Sequence, residues 1–135
     1  MMKKFEFAIW EAQDIHKYQR QIGSMRHWHG LSSEKKPDNY VWDEDESVRW
    51  NRTKTEEYND AIDKKIEDAK AEYQQAVEAL DNAVADYIIE DLKMNDVELS
   101  REKAVTLWHW LESEHDSDAA NWLNSYLDIL AKVLS

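Results

Sequence analysis

The stretch from Thr53 to Leu92 constrains this chain more than any other, because its apolar residues keep a spacing that only a long helix with a partner can use. Ile62, Ile66, Ala69, Tyr73, Ala76, Leu80, Ala83 and Tyr87 follow one another in alternating steps of four and three. That is the a/d seam of a coiled coil, which turns one stripe of a helix toward a neighbour along its whole length. After Tyr87 the seam slips to Ile88 and Leu92. Thr53 and Glu56 have the spacing of a capping box, in which the hydroxyl accepts from the Glu amide and the carboxylate reaches back. No Gly or Pro lies between Lys54 and Lys93, so the helix is expected to run about 55 Å at ~1.5 Å per residue.

A helix of that length needs cover from other segments of the chain or from a second copy. Small residues at Ala69, Ala76 and Ala83 alternate with large ones and permit close approach. The expected outcome is a homodimer seam formed by Ile62, Ile66, Ala69, Tyr73, Ala76 and Leu80.

The other helices are read from the same kind of pattern. Phe5, Ala8, Ile9, Ala12, Ile15, Gln19 and Ile22 keep helical spacing and predict a helix over 3–22, ended by a left-handed cap at Gly23; the competing reading is a short strand at Phe5, Phe7 and Ile9. Asn95 and Asp96 mark a turn, and Ser100 is placed to cap a helix carrying Ala104, Val105, Leu107, Trp108 and Leu111. A break over 112–118 follows, with Asp116 or Ser117 as the cap of a last helix. Its wide apolar face from Ala119 to Leu134 indicates deep burial. With 2 Gly, 1 Pro and 34% charged residues, the composition suits helices and lacks the residues of β-turns. The fold class expected is all-α: a helical bundle built on one long central coiled-coil-like helix with a C-terminal α-hairpin (100–135), one domain over 1–135.

Residues 24–52 are the irregular part. This segment holds His27, Trp28, His29, Tyr40, Trp42 and Trp50, together with Pro37 and the acidic run Asp43, Glu44, Asp45 and Glu46. A loop this long is docked by its aromatics, partly helical, or a binding element. Its Trp residues either form a lid on the core or stay outside as interface anchors.

Several chemistries are excluded. Two glycines, Gly23 and Gly30, cannot build a phosphate-cradling loop, and a chain without Cys has no catalytic thiol, disulfide or thiolate metal site. The cytoplasm is the expected compartment. The basic start at Met1 to Lys4 has no apolar run behind it, so neither a signal peptide nor a membrane span is expected. No cofactor is expected. His27 and His29 are weak metal candidates, since in an extended segment both imidazoles point to one side and an acid such as Asp43 or Glu44 could join them. His109 and His115 bracket Glu112 without the spacing of a zinc protease.

Net charge is −12, and the acid sits in the helical body: 54–95 carries 5 basic and 12 acidic side chains. Direct nucleic-acid binding is disfavoured and a protein partner with a basic surface is favoured. Asp60, Glu67 and Asp81 share one heptad position. With Glu78, and with Trp42 beside Asp43–Glu46, they define a candidate partner-binding ridge that imitates the phosphates of a duplex. In size and charge the chain resembles small acidic helical proteins of phages and mobile elements that block restriction or CRISPR enzymes. That resemblance implies a non-enzymatic inhibitor occupying a basic nucleic-acid-binding surface.

Two alternatives stand beside it. Glu57 with Asp60, and Glu78 with Asp81, are similar to the Glu-x-x-Asp elements of all-α nucleotide pyrophosphohydrolases, which implies magnesium-dependent hydrolysis of a nucleotide triphosphate; the family's further Glu-x-x-Glu element has no counterpart that can be placed in the sequence. The other alternative is an assembly subunit associating through the long helix.

Overall fold

A computed structural model describes residues 5–42 and 52–134. The described residues are helical and irregular, without strands: α1 (Ala12–Gly23), α2 (Trp28–Ser32), α3 (Arg52–Lys93), α4 (Arg101–His115), a 3₁₀ turn (Asp116–Asp118) and α5 (Ala119–Leu134). The all-α class, the long α3 and the C-terminal hairpin of α4 and α5 are as expected. None of the described helices is long and apolar enough to cross a membrane. Two compact units emerge, one from 24–73 and one from 3–23 with 74–135; α3 gives its first half to one and its second half to the other.

In the unit from 24–73 the aromatic segment is docked on the first half of α3 and partly helical. Asn59 grips the Lys36 backbone from both sides, its Oδ1 accepting from the amide and its Nδ2 donating to the carbonyl, each at 2.8 Å. Trp42 donates from Nε1 to Thr55 Oγ1 at 3.0 Å, and its ring meets Tyr40 and Tyr58 edge-on. Trp28 meets Tyr73 in the same way. The lid account therefore holds for Trp28 and Trp42; Trp50 lies outside the described residues.

In the other unit α5 packs on α4 and α1, and the second half of α3 joins them. Ile15, Val84, Ile88, Leu92, Trp108, Leu111, Leu123 and Leu127 form its core and are almost wholly buried. Two caps set the helix ends here. Ser100 accepts from the Lys103 amide, as its position in the sequence implied. At the end of α3 the Val97 amide bonds the Leu92 carbonyl at 2.9 Å and the Asp96 amide bonds that of Lys93 at 3.0 Å. Asp96 takes φ 61°, so this is a Schellman motif with Asp in the left-handed position, closed by the buried pair Val97 and Leu92.

Several local expectations are corrected. The first helix starts at Ala12 rather than Lys3, because the Asp14 carboxylate accepts the amides of Trp10 (2.9 Å) and Glu11 (3.1 Å) and so takes up donors that an earlier turn would need. Upstream, 5–9 is neither helix nor strand; Phe7 stacks at a tilt on Tyr18, whose hydroxyl donates to the Ala8 carbonyl. Gly23 ends α1 without a positive φ. Thr53 lies inside α3, and Glu56 pairs with Arg52 instead of closing a capping box. α4 runs on to His115, and Asp116 serves as its C-cap rather than capping α5.

The seam itself departs from strict heptads. Thr55, Ile62, Ala69 and Ala76 are buried seven apart, after which burial passes to Leu80, Val84, Ile88 and Leu92 in steps of four. The slip comes at Leu80, not after Tyr87, since α4 and α5 wrap the second half of α3. Ile66 and Tyr73 are half-buried. A single chain already buries Ile62, Ala69, Ala76 and Leu80.

Candidate functional site

The acids of α3 fall into two groups. Asp60, Glu67 and Glu78 point to solvent, and Asp60 and Glu67 have no ion pair among the described residues. Asp81 does not share their exposure: its side chain is 16% exposed and its Oδ2 lies 2.7 Å from His109 Nε2 on α4. The expected ridge therefore loses Asp81, because the close crossing of α4 turns that heptad position inward. Trp42, placed on the ridge by its neighbours, is docked on Thr55 as described, and Asp43, Glu44, Asp45 and Glu46 lie outside the described residues.

The contact between Asp81 and His109 extends to a third side chain. Glu112, one turn along α4 from His109, brings a carboxylate oxygen to them, and the three donor atoms lie within 4.8 Å of one another. Gln19 reaches Glu112 from α1, donating from Nε2 to Oε2 at 3.2 Å. Burial holds the Glu112 carboxyl above the usual range, the Gln19 bond pulls it back, and the Asp81 charge pushes it up again. Four residues from three helices thus meet at one place. Sequence spacing gave only the pair on α4, since Asp81 and Gln19 arrive from elsewhere in the chain.

The pyrophosphohydrolase pattern is only partly met. Glu78 faces solvent while Asp81 faces α4. Glu57 and Asp60 are both exposed.

His27 and His29 do not lie in the extended segment that a shared metal would need. His29 lies in α2 and His27 is its N-cap, and residues two apart on a helix do not share a face. Both are exposed, and among the described residues only Asp81, His109 and Glu112 form a cluster of potential metal ligands. His115 is not part of it; its ring stacks on Trp122 at 4.4 Å.

A second concentration of acid surrounds Tyr87. Burial raises the phenol pKa, and Asp91, Glu11 and Asp14 raise it further. Asp91 is itself raised, by burial and then by Asp128 on α5. These four carboxylates come from the segment before α1, from α1, from α3 and from α5. Lys17 is near Asp14, and Lys132 lines a surface cavity of about 330 Å³ with Asn95, Asp128 and Ala131. Trp10, whose amide bonds Asp14, is 83% exposed. Among the described Trp residues, Trp10, Trp110 and Trp122 are the exposed ones, and all three lie outside the 24–52 segment, for whose Trp residues the sequence offered lid or anchor roles. Comparison with protein-family models, with curated proteins and with solved structures gave no match.

Proposed function

We propose that this chain is a non-enzymatic acidic module that binds a basic protein surface, of the kind a nucleic-acid enzyme uses to hold its substrate. The observation that carries the reading is that Glu11, Asp14 and Asp91 act on Tyr87 and Asp128 acts on Asp91, so that negative charge adds to burial in raising both groups. Lys or Arg side chains of a partner relieve that repulsion and gain charge-assisted hydrogen bonds. Trp10 stands beside these acids as an apolar anchor. Asp60, Glu67 and Glu78 supply further exposed carboxylates. An inhibitor from a phage or mobile element that blocks a host defence enzyme would use such a surface.

The test is affinity capture from host lysate with wild-type protein and a D60K/E67K/E78K/D128K variant, followed by elution with a DNA duplex. The expected result is a basic nucleic-acid-binding protein retained by wild type, released by duplex and lost with the variant. Retention that the variant preserves, or that duplex does not reverse, sinks the reading.

A second reading, self-association, is favoured by one observation. On α5 Trp122, Ile129, Val133 and Leu134 remain exposed, and that helix carries only Asp128 and Lys132 in a chain of −12. Two copies meeting there bring little like charge together. Sedimentation at micromolar concentration checks it: a dimer that Ile129→Lys dissociates supports this face, and a wild-type monomer rules it out.

A further inference from the structure

We propose that Asp81, His109 and Glu112 form a binding site for a first-row divalent transition-metal ion that ties α3 to α4. The proposal does not depend on the acidic-module reading. Three ligating groups of the right kinds, two carboxylates and an imidazole, present atoms within 4.8 Å of one another. Zinc holds nitrogen and oxygen ligands at about 2.0–2.2 Å, so neighbouring ligand atoms stand about 3–4 Å apart around it, and rotamer adjustments within this cluster reach that spacing. The backbone supplies the preorganisation. His109 and Glu112 are three apart on α4 and share a face, and Asp81 is delivered to them by the packing of α3.

Gln19 supplies an independent observation. Its Oε1 is buried without a hydrogen-bond partner, while its Nε2 contacts the Glu112 carboxylate. Among the described residues only Trp108 Nε1 shares this state, and such an exception asks for an explanation. Half a turn about the terminal torsion exchanges the two atoms of the amide and turns Oε1 toward the cluster. Against a carboxylate alone that orientation is repulsive. With a cation on the carboxylate it supplies a further oxygen, to the ion or to one of its waters.

The chemistry of the donors selects the ion. An imidazole among the ligands favours zinc, nickel or iron over magnesium and manganese, which take carboxylates and water, and the absence of thiolate removes the preference for copper(I). Access is open, since the His109 side chain is 56% exposed, and the outer coordination positions face water. A bound ion would also offset the like charges of Asp81 and Glu112, which the short contact from His109 now holds together.

The experiment is titration of the metal-free chain with Zn²⁺ by calorimetry. Asp81→Asn, His109→Gln, Glu112→Gln and a H27A/H29A double variant are measured beside wild type. The proposal expects one equivalent of Zn²⁺, at least a tenfold loss of affinity for each of the three single variants, and none for the double variant. Zinc should also shift the side-chain nitrogen resonances of His109 ahead of those of the other four histidines. Circular dichroism before titration confirms that each variant is helical, and the histidine resonances of wild type decide the matter should a variant fail to fold. Absence of stoichiometric binding by wild type, affinity unchanged in all three variants, or zinc-dependent shifts confined to His27 and His29 overturns the site.

Discussion

Asp116 closes α4 with φ 49° and ψ −121°, a backbone conformation that suits the first central residue of a type II′ turn and is ordinarily filled by glycine. The side chain is exposed, so little is lost when it is removed. Holding a non-glycine residue in a sparsely populated region costs about 1–3 kcal/mol. Glycine gives back about 0.5–1 kcal/mol through its greater freedom in the unfolded chain. The balance predicts that Asp116→Gly stabilises the protein by about 1 kcal/mol, which for a chain of this length raises the melting temperature by roughly 4 °C.

The assay is urea unfolding followed by circular dichroism, with Asp116→Ala as the companion variant. Alanine removes the same carboxylate but keeps a Cβ, so it separates backbone strain from charge. The expected order of midpoints is Gly above wild type, with Ala no higher than wild type. Asp96 sits in the ordinary left-handed position at φ 61°, which Asp tolerates better, so Asp96→Gly should gain less, under about 0.5 kcal/mol. A midpoint for Asp116→Gly below wild type by the usual glycine cost would falsify the strained cap.

Two further outcomes can be stated. Asp91 is raised, first by burial and then by Asp128, so it binds its proton more readily when folded. Its contribution is therefore most favourable at low pH and is lost as pH rises through its folded pKa. Asp91→Asn should gain midpoint relative to wild type between pH 4 and pH 7, and a difference that is flat or of opposite slope contradicts the crowding around Tyr87. Trp108 is fully buried and its Nε1 has no partner. Trp108→Phe removes a donor whose unmet burial costs about 1–3 kcal/mol, while Trp108→Ala leaves a cavity costing about 3–5 kcal/mol. Phe should therefore remain within about 1 kcal/mol of wild type in the same urea assay, and equal losses for the two variants would show that the indole N–H is satisfied.

The sequence revealed what repeats along one helix and missed what depends on the meeting of several. The unbroken length of α3, the Ser100 cap and the turn at Asn95–Asp96 are local patterns, and each is found where the residues put it. The beginning of α1 was not legible because Phe5, Ala8 and Ile9 keep helical spacing, while the deciding interaction is a backward hydrogen bond from Asp14. The position of the seam's slip was hidden for a different reason. Ala83 and Val84 both suit a core, and the wrapping of α4 and α5 selects Val84. The cluster of Asp81, His109, Glu112 and Gln19 joins residues 93 positions apart in one hydrogen bond, a juxtaposition that no spacing rule carries.

The same crossing of α4 changes what the acid of α3 can mean. Counted along the sequence, α3 carries six acids and no base between Lys70 and Lys93, which invites comparison with a nucleic-acid backbone. In the fold they divide. Asp81 is held by His109, and Asp86 is paired with Arg101, which also donates to the Asn82 carbonyl. Asp63 pairs with Lys35 at 2.6 Å. These contacts join α3 to α4 and to the aromatic segment, so reversing Asp81 or Asp86 disturbs packing before it disturbs any partner. Among the described residues Asp60, Glu67 and Glu78 make no such contact with another helix; the hydrogen bond from Gln74 to Glu78 stays within α3. Loss of binding on reversing Asp60, Glu67, Glu78 and Asp128 is therefore evidence about recognition, whereas loss on reversing Asp81 is evidence about the fold. An experiment that mixes the two sets cannot distinguish an acidic binding face from a helix that uses its acids to hold itself in place.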